Sequence, residues 1–575
     1  MDYANLFRTT KKSVSSNQDE QLLCKAGFVE AIEDGLIFFL PLGWKVVRKI
    51  ANIIRSVLES IDGQEIRMPF VMPYSYLEKS ARAEVFAKEL GIFQNNQGKT
   101  YVLPPAREEA ISEFVKNSSY DNWANPLLLF EIQSQYKDIN ITTDHLLESK
   151  ESLKAEAWSF HLSDTSLNNF IPKIFSAFNT IFKRCGINST NGLGSTEFSG
   201  ATNAFEFFVN SQYGNQQMFI CPSCGYCANK TIAQAIPHLR SDNPLPAKKI
   251  YLKGISTPLD VCKKLNVGLD EIANAVVYKT MHGYYMVVIR ADYQISQIKL
   301  ARYLKVPAVT QATNKELAKL GLVFESLSPM DLPPKAASKL TILLDETIAN
   351  SSNLIYGTNQ NNYYYQNGNF GVDFESNLIT DIAMVHPEDL CMQCGTPLQN
   401  ISTIEFAKIY KIGSFFSNQL NVTTLNKKGK PVMLQIGSYY IDINRLLLSI
   451  ADQNNDEKGL IWPNNIAPYL YYFICEGKSP ALLKVSDQIY NQLKESAIFD
   501  NQNILTEEKI DRANLLGIPY QIILDDNLVK EDKIRLIERR GLKEYTLSLT
   551  KFLENLELLK QATDLSLTKL LKNEV

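Results

Sequence analysis

The segment DGLIFFLPLGWKVVRKIANIIRSVLESIDGQEIRMPFVMP, residues Asp34–Pro73, combines a long amphipathic helix with an extended stretch that contains a proline. Apolar residues recur at helical spacing between Trp44 and Ile61, and lysines and arginines separate them. This spacing predicts a helix with one buried face. The residues that follow, Glu65–Met72, have the pattern of a strand that Pro69 interrupts.

The size and composition of the chain indicate several domains. A single hydrophobic core rarely exceeds about 250–300 residues, so 575 residues predict roughly three or four domains. The formal net charge is −3, so any contact with RNA must come from a local basic face. Nine cysteines are too sparse for a disulfide scaffold and favour a reducing cytoplasm. No leader is predicted, because residues 1–20 are polar, and no early membrane span is predicted, because the apolar run Leu36–Val47 is too short and contains Pro41 and Lys45.

Helical and strand patterns alternate along most of the chain. Helices are predicted at Ser166–Phe182, Leu259–Lys264, Ile295–Leu304, Ile443–Ala451, Leu482–Glu495 and Ile504–Leu516. Strands are predicted at Thr100–Leu103, Leu127–Gln133, Ala275–Lys279, Tyr284–Arg290, Thr403–Ile412, Val432–Ile436, Tyr469–Ile474 and Tyr520–Leu524. The polar and aromatic tract Asn359–Asn369 is predicted to be a surface loop, and Trp462–Pro468 a linker.

Four segments resemble bacterial-type prolyl-tRNA synthetases. Asp34–Pro73 is similar to the entry and first motif of that family, Glu457–Tyr469 to the junction after its third motif, and Ala513–Leu524 to its anticodon-binding domain. Ile250–Ile382 resembles the family's editing insertion. The resemblance implies a multidomain α/β protein with a class II synthetase antiparallel-sheet core, which forms a homodimer in the cytoplasm and binds tRNA.

The resemblance also implies four parts of the chain. Residues 1–220 form the first part of the core, and residues 221–394 form an editing-like insertion flanked by the two Cys-x-x-Cys knuckles. Residues 395–466 form the second part of the core with the third motif, and residues 467–575 form an anticodon-binding-like domain.

The family's ATP-binding motifs are altered in this chain. Lys137 and Ile139 stand where the second motif has an arginine and a glutamate, which the family uses with ATP and Mg²⁺. The next loop has Ile141, Thr143 and Glu148 where arginines are expected. A lysine keeps the charge but loses the bidentate fork, and an isoleucine accepts no hydrogen bond. Ser152 takes the place of the ring that the family stacks on adenine.

The third motif keeps its arginine but loses two glycines. Arg445 remains, whereas Tyr440 and Asp442 stand at glycine positions where the family's backbone approaches the nucleotide. If each lost contact is worth about 1–3 kcal/mol, ATP binding is expected to be very weak. The catalytic residues retained are then Lys137 and Arg445. The alternative is a working enzyme whose ATP contacts have moved to neighbouring residues.

The family's proline-binding positions are retained in part. Ala106 replaces a threonine, while Glu108 is kept as an anion for the substrate amine. Glu206 is kept in the later block Ala204–Phe207. These residues predict a weakened amino-acid site. The alternative is that Glu108, Glu109 and Glu206 are carboxylates exposed to solvent.

The editing and anticodon positions also differ from the family. Asn274 replaces the expected lysine on the central strand of the insertion, and Tyr364 stands where a histidine is common. Lys279 aligns with a second lysine, and the simpler expectation for it is a surface residue at a strand end. In the C-terminal unit, Asp500–Gln502 replaces an acidic–basic patch, and a basic stretch, typical of a solvent-exposed face, contains Lys530, Lys533, Arg535, Arg539 and Arg540. Weaker tRNA binding is expected.

Two Cys-x-x-Cys-Gly knuckles flank the insertion: Cys221 with Cys224, and Cys391 with Cys394. Two such pairs have the spacing of a tetrahedral thiolate site, which predicts a structural zinc ion that joins the two ends of the insertion. The alternative is a set of reduced thiols left from an ancestral site, with Cys227 as a possible substitute ligand.

These residues support two main hypotheses. The first is a dimeric paralogue with an eroded ATP site that binds a protein partner, an RNA or a small effector. The second is a functioning proline–tRNA ligase with an altered active site. A third, an ATP-independent enzyme that uses Glu108 or Glu206 on an amino-acid-like ligand, remains open.

Overall fold

The computed structural model describes residues 1–556 except residues 9–14, 33–34, 119, 121–122, 124, 141–143, 197–199, 239, 241, 256, 307, 388 and 427–428. The chain divides into two units. Unit 1 contains Met1–Thr190, Phe207–Asn215 and Ile404–Val575, and unit 2 contains Asn191–Glu206 and Gln216–Thr403. No helix among the described residues is long and apolar enough to cross a membrane.

The N-terminal part of unit 1 alternates helices and strands. Its elements are α1 Gln18–Lys25, β1 Val29–Ala31, β2 Ile37–Phe39, α2 Pro41–Glu59, β3 Gly63–Glu65, β4 Met72–Pro73, α3 Tyr74–Lys79, β5 Gly91–Gln94, β6 Thr100–Leu103, α4 Glu108–Lys116, β7 Leu127–Tyr136, β8 Glu151–His161 and α5 Asp164–Cys185.

Unit 2 is built mainly from short strands. The elements from residue 190 to residue 413 are β9 Thr190–Leu193, β10 Asn203–Asn210, β11 Gln216–Ile220, β12 Cys227–Asn229, β13 Ala235–Ile236, β14 Lys248–Tyr251, α6 Pro258–Leu265, β15 Ala273–Thr280, β16 Gly283–Arg290, α7 Gln297–Leu304, β17 Thr310–Gln311, α8 Asn314–Leu320, α9 Pro334–Ala337, β18 Leu340–Asp345, α10 Glu346–Ala349, β19 Leu354–Gly357, β20 Tyr363–Gly368, β21 Ile379–Thr380, β22 Leu390–Cys391 and β23 Gln399–Gly413.

The rest of the described chain belongs to unit 1. Its elements are α11 Phe415–Leu420, β24 Thr423–Leu425, β25 Pro431–Met433, β26 Gln435–Asp442, α12 Ile443–Gln453, β27 Asn455–Asp456, β28 Gly459–Leu460, β29 Tyr471–Glu476, α13 Pro480–Leu493, β30 Ala497–Asp500, α14 Thr506–Leu516, β31 Tyr520–Asp525, α15 Asp526–Lys530, β32 Lys533–Glu538, β33 Lys543–Ser548 and α16 Leu549–Glu554.

The largest sheet of unit 1 is antiparallel where it holds the candidate site. Strands β7, β8, β26 and β23 lie side by side in that order, and β3 joins β7 in parallel. Helix α2 begins with Pro41, which fits a first helical turn because proline has no N–H to leave unpaired. Its apolar face is buried, as the sequence predicts. The strand predicted at Glu65–Met72 is present only at its ends, as β3 and β4.

A second sheet of unit 1 lies in the C-terminal region. Strands β30, β29 and β31 are parallel, and β32 and β33 continue the sheet antiparallel. Helices α13 and α16 contribute Leu482, Ile489 and Phe552 to the hydrophobic core of this sheet. The segment Trp462–Pro468, predicted to be a linker, is not an exposed one. Trp462 is 3% exposed and Ile466 is fully buried, because this segment packs as core.

Unit 2 has a five-stranded sheet in the order β17–β15–β16–β18–β21 and a three-stranded sheet in the order β14–β20–β19. The second sheet corrects the prediction of a loop at Asn359–Asn369. Tyr363–Gly368 is the central strand of that sheet, because it pairs with β14 on one side and with β19 on the other.

Candidate active site and associated sites

Polar side chains form a row across the antiparallel sheet of unit 1. In the strand register, Glu131 lies opposite Glu156, Glu156 opposite Tyr440, and Tyr440 opposite Lys408. Directly opposite residues point to the same face of a sheet. Four neighbouring strands therefore bring three ionisable groups and a phenol together on one face, where a core sheet ordinarily has apolar side chains.

Arg107 offsets the negative charges of Glu131 and Glu156 in this row. Its Nη1 lies 2.9 Å from Glu131 and 3.4 Å from Glu156, and its Nη2 donates to the carbonyl of Ser134. Arg107 and Glu131 are each 1% exposed. Burial raises the pKa of Glu156 to about 7, although Arg107 opposes part of that rise. The sequence analysis did not identify Arg107 as a site residue. The sequence signal that could have indicated this cluster is Glu131 within the apolar run Leu127–Ile132.

Arg445, the arginine retained from the third motif, is bound to protein groups. Its Nη1 lies 3.2 Å from the carboxylate of Glu405, and its Nε donates to the carbonyl of Leu147 at 2.8 Å. The Tyr440 hydroxyl also donates to Glu405, at 3.1 Å. Burial, and then Glu405, raises the pKa of Tyr440 well above its usual value. Glu405 therefore neutralises Arg445 and fixes the orientation of Tyr440.

Asp442 acts as the N-cap of helix α12. Its carboxylate accepts a hydrogen bond from the backbone N–H of Arg445 at 3.1 Å. Such a cap satisfies one of the free N–H groups at the start of a helix. Asp442 also lies 3.9 Å from Lys154, a residue of β8 that the sequence analysis did not identify.

Three cations share this part of unit 1. Burial lowers the pKa of Lys154, Asp442 opposes that effect, and the charges of Lys137 and Arg445 lower the pKa further. Two of these cations contact the same residue, because Asp442 lies 3.9 Å from Lys154 and accepts a hydrogen bond from the backbone N–H of Arg445. Lys137 lies at the surface and pairs with Glu89 at 3.0 Å, with 38% of its side chain exposed. Lys154 also lies over the ring of Tyr440, with 4.9 Å between its Nζ and the ring centre.

The loop after the second motif is described in part. Ile141 and Thr143, where the family has arginines, lie outside the described residues. Glu148 is exposed and accepts a hydrogen bond from Asn215 at 2.7 Å. Ser152, at the position of the family's adenine-stacking ring, is 8% exposed and lies opposite Gln135 in the sheet.

The three candidate glutamates are buried, so the expectation of solvent-exposed carboxylates is wrong. Glu108 is 6% exposed, lies 3.2 Å from Arg82, and accepts a hydrogen bond from Ser438 at 3.0 Å. Glu109 is fully buried against the same arginine, and burial raises its pKa. In unit 2, Glu206 is 1% exposed and accepts hydrogen bonds from the side chain of Asn229 and the backbone N–H of Ser195. Buried carboxylates require such partners.

Unit 2 contains a cavity of about 290 Å³ between its two sheets. Asn274 and Tyr364 both line it, together with Thr257 and Gln311. The Tyr364 hydroxyl donates to the carbonyl of Glu325 at 3.2 Å. Lys279 does not line this cavity. It is 55% exposed and pairs with Glu316 at 3.2 Å, as expected for a surface lysine near a strand end.

The four knuckle cysteines of unit 2 meet in one cluster. Their Sγ atoms all lie within 4.8 Å of one another, with 3.4 Å between Cys221 and Cys394 and 3.7 Å between Cys224 and Cys391. Four sulfurs at about 2.3 Å from a tetrahedral zinc ion are about 3.8 Å apart. Gly225 and Gly395 have φ angles of +76° and +72°, which let each knuckle turn tightly. The donor set therefore fits a metal ion, and Cys227 does not belong to it.

Several ionisable groups of the C-terminal region are paired. Asp500 is 1% exposed and accepts hydrogen bonds from Tyr472 and Arg512. Arg539 is fully buried against Asp456, so the basic stretch is not a uniform solvent-exposed face. Arg535 is partly exposed and pairs with Glu544 at 3.0 Å.

Comparison with known proteins covers nearly the whole chain. Residues 253–374 match the model of the aminoacyl-tRNA editing domain, and residues 473–559 match that of the anticodon binding domain. A proline–tRNA ligase of Fusobacterium nucleatum is 30% identical over 93% of this chain and 95% of its own. One from Staphylococcus saprophyticus is 29% identical over 92% of this chain and 94% of its own.

Solved structures share the fold. The prolyl-tRNA synthetase of Giardia lamblia, in complex with prolyl-adenylate, superimposes with a TM-score of 0.55 at 13% identity, over 94% of this chain and 76% of its own. That of Cryptosporidium parvum, complexed with L-proline and AMP, gives a TM-score of 0.53 at 10% identity, over 96% and 79%. The fold is thus that of a class II synthetase with editing and anticodon-binding domains. The chain belongs to the bacterial-type prolyl-tRNA synthetase family, the proline–tRNA ligases.

Proposed function

We propose that this chain is a proline–tRNA ligase, which joins proline to its tRNA at the expense of ATP. The observation that carries this proposal is the proximity of two cations to one carboxylate: Lys154 lies 3.9 Å from Asp442, and Asp442 accepts a hydrogen bond from the backbone N–H of Arg445. Activation of an amino acid needs positive charge at the α-phosphate of ATP, where negative charge develops in the transition state. Similarity to proline–tRNA ligases over more than nine-tenths of the chain supports the same activity.

Each residue of the site has a proposed role in this reaction. Lys154 and Arg445 bind the phosphates, and Lys137 adds charge from the rim. Lys154 thus supplies the charge that the family's second-motif arginine provides. Glu108, held by Arg82 and Ser438, orients the amine of proline. Glu206 of unit 2, whose carboxylate Asn229 holds, is retained as a proposed substrate-binding residue.

A second candidate function is a member of the family that does not activate proline. The observation that favours it is the contact of Glu405 with both Arg445 and Tyr440. A nucleotide phosphate at Arg445 has to compete with this carboxylate, and the carboxylate itself repels the phosphate. Tyr440 also replaces a glycine where a close approach of the nucleotide is expected. Such a protein would act as a dimeric tRNA- or partner-binding protein.

Proline-dependent exchange of pyrophosphate into ATP separates the two candidates. The ligase shows exchange, and Arg445→Ala or Lys154→Ala lowers kcat/KM by about a hundredfold or more, as the loss of a transition-state contact does. Arg535→Ala is the matched control, because this exposed arginine lies on the C-terminal sheet. If folded wild-type protein exchanges pyrophosphate no faster than a reaction without protein, the result would instead support the non-activating candidate. Tight tRNA binding by the same preparation would then define its role.

We also propose that the cysteine cluster holds a structural zinc ion. The four thiols have the donor type, number and spacing of a closed tetrahedral site, which leaves no position for substrate. The reducing cytoplasm expected for this protein keeps such thiols available for metal. We further propose that any editing of mischarged tRNA takes place at the cavity of unit 2. Of the two aligned residues on β15, Asn274 lines that cavity together with Tyr364, and Lys279 does not.

The remaining proposals concern assembly and domains. Exposed apolar side chains near the first motif, including Phe38 at 59% and Trp44 at 46%, support a homodimer. The division at residues 220, 394 and 466 is retained as a proposal for the domain boundaries. Size-exclusion chromatography with light scattering tests the homodimer, and limited proteolysis tests the domain boundaries.

A further inference from the structure

Unit 1 contains a cleft of about 860 Å³ at the C-terminal end of helix α5. Residues within 183–189, residues 461–465 and residues 538–540 line it, together with Gln453 and Asn454 at the end of α12. Sites for small molecules typically have volumes of about 300–1,000 Å³, so the cleft has room for such a ligand. It is named here the α5 cleft.

The walls of the α5 cleft are held together by direct contacts. Asn188 and Gln453 exchange two hydrogen bonds: the backbone N–H of Asn188 donates to Oε1 of Gln453 at 2.9 Å, and Nε2 of Gln453 donates to the carbonyl of Asn188 at 2.8 Å. A Cβ atom on Gly186, which has a φ angle of +75°, would lie only 2.5 Å from the ring of Pro463. These contacts fix three stretches of chain against one another, so the cleft is a preformed feature.

The lining of the α5 cleft is mainly positive. Four cations and one carboxylate belong to it: Lys183, Arg184, Arg539, Arg540 and Glu538. Arg539 is neutralised by Asp456, against which it is fully buried. Three cations therefore remain beside the single carboxylate of the described lining.

The two remaining arginines have neutral partners in the part of the chain that the structure describes. Nη1 of Arg184 donates to the hydroxyl of Ser56 at 2.8 Å, and Nη2 of Arg540 donates to the side-chain oxygen of Asn454 at 2.7 Å. Neither partner offsets the charge of its guanidinium group. Arginine forks bind phosphate oxygens with two parallel hydrogen bonds, so this pair is suited to a phosphate group.

Neutral polar side chains accompany these cations. Asn179 and Asn188 are exposed on the lining, and Ser189 is half-buried there. Amides and hydroxyls donate and accept hydrogen bonds, as the hydroxyl groups of a sugar require. A concave site of this volume encloses a small molecule, whereas RNA is bound mostly along extended basic surfaces.

We propose that the α5 cleft binds a small phosphate ester that carries hydroxyl groups, of sugar-phosphate to nucleotide size. Its phosphate lies beside Lys183, Arg184 and Arg540, and its hydroxyl groups bond to the neutral side chains of the lining. Neither Lys154 nor Arg445 lines this cleft, so it is a second site, separate from the candidate active site.

Fluorescence of Trp462 reports binding of ribose 5-phosphate, the probe for this site. Trp462 lines the cleft and is 3% exposed. Titration of the full-length protein with ribose 5-phosphate is expected to give a saturable change in tryptophan emission. Ribose gives no change, and inorganic phosphate binds at least about tenfold more weakly, because each lacks part of the hydrogen-bonding set. In Trp462→Phe the emission change is lost, while calorimetry still detects binding.

Substitutions of the cations test the site directly. Lys183→Ala and Arg540→Ala are each expected to weaken binding of ribose 5-phosphate by about tenfold or more, the effect of one lost hydrogen bond to a charged group. Arg540→Lys keeps the charge but not the fork, and recovers part of the affinity. Lys173→Ala is the matched control, because Lys173 is a 45% exposed lysine of the same helix that does not line the cleft.

Four results would overturn the proposal. The first is no saturable binding of ribose 5-phosphate by wild type, and the second is equal affinity for ribose 5-phosphate and inorganic phosphate, which indicates a nonspecific anion contact only. The third is unchanged binding in both Lys183→Ala and Arg540→Ala. The fourth is weaker tRNA binding in these two variants with unchanged binding of ribose 5-phosphate, which would assign the cleft to RNA.

Discussion

Removal of one knuckle thiol tests the proposed metal site. Cys224 is the suitable position because it is exposed, so Cys224→Ser changes little packing. A metal ion that joins Cys224 to Cys391 closes a loop of 167 residues. The chain-entropy relation for a cross-link of that length gives about 5 kcal/mol of stabilisation at 25 °C. This free energy is expected to protect the chain between the two knuckles from unfolding.

Hydrogen exchange with mass spectrometry of the full-length protein measures this effect locally. Amides of β15 and β16 are expected to exchange faster by roughly three to four orders of magnitude in Cys224→Ser, or in wild type after chelation. Metal analysis is expected to find about one zinc ion per wild-type chain. Cys262→Ser is the control, because Cys262 lies in the same unit outside the cluster. Equal exchange in wild type and Cys224→Ser, with no bound metal, would refute the reasoning.

Three further predictions concern buried charge, pH and assembly. Arg107→Leu leaves two buried glutamates without their cation and is expected to lower the free energy of unfolding by about 3–5 kcal/mol in denaturant titrations, whereas the exposed-pair variant Arg535→Leu changes it by less than about 1 kcal/mol. Burial, and then its hydrogen bond with Asp452, raises the pKa of Asp19 from 3.8 to about 7, so the folded protein holds a proton that the unfolded chain releases. Stability therefore falls as the pH rises from about 4 to 7, and thermal unfolding between pH 4 and 8 is expected to show a flatter profile for Asp19→Asn; an unchanged slope would contradict this assignment. Phe38→Asp is expected to give a monomer by light scattering, and a stable dimer would exclude Phe38 from the interface.

The elements of the fold were predictable because their patterns are local. Strand Thr100–Leu103 has the bounds that the sequence predicts, and helix α12 extends the predicted Ile443–Ala451 by two residues. The tract Asn359–Asn369 was predicted wrongly. Its asparagines and glutamine suggested a loop, but tyrosines at alternate positions also match the period of a strand, and pairing with β14 decides between the two.

The position of the candidate site was predictable from the sequence, but the contacts between its side chains were not. The aligned motifs located Arg445 and Tyr440, yet no local pattern indicates that both contact Glu405, which is 35 or more positions away. Lys154 and Arg107 were missed for the same reason. Their roles follow from the pairing of β7, β8 and β26, and this pairing joins parts of the chain that are nearly 300 residues apart.

The pairing of β11 with β23 has a consequence for how this architecture could arise. Ile220, the last residue of β11, lies directly opposite Gln399, the first residue of β23. The chain therefore leaves β11 beside the point where it later enters β23. A short turn could join these two strands directly, but it would also remove β12, which pairs with the other edge of β11. A gene for a compact module inserted at such a hairpin keeps the pairing of β11 with β23 and adds β12 to the sheet, and the module can later be lost or exchanged in the same way. The hairpin is therefore a natural junction for gain, loss or exchange of the module, and a practical site for grafting an unrelated domain onto this scaffold.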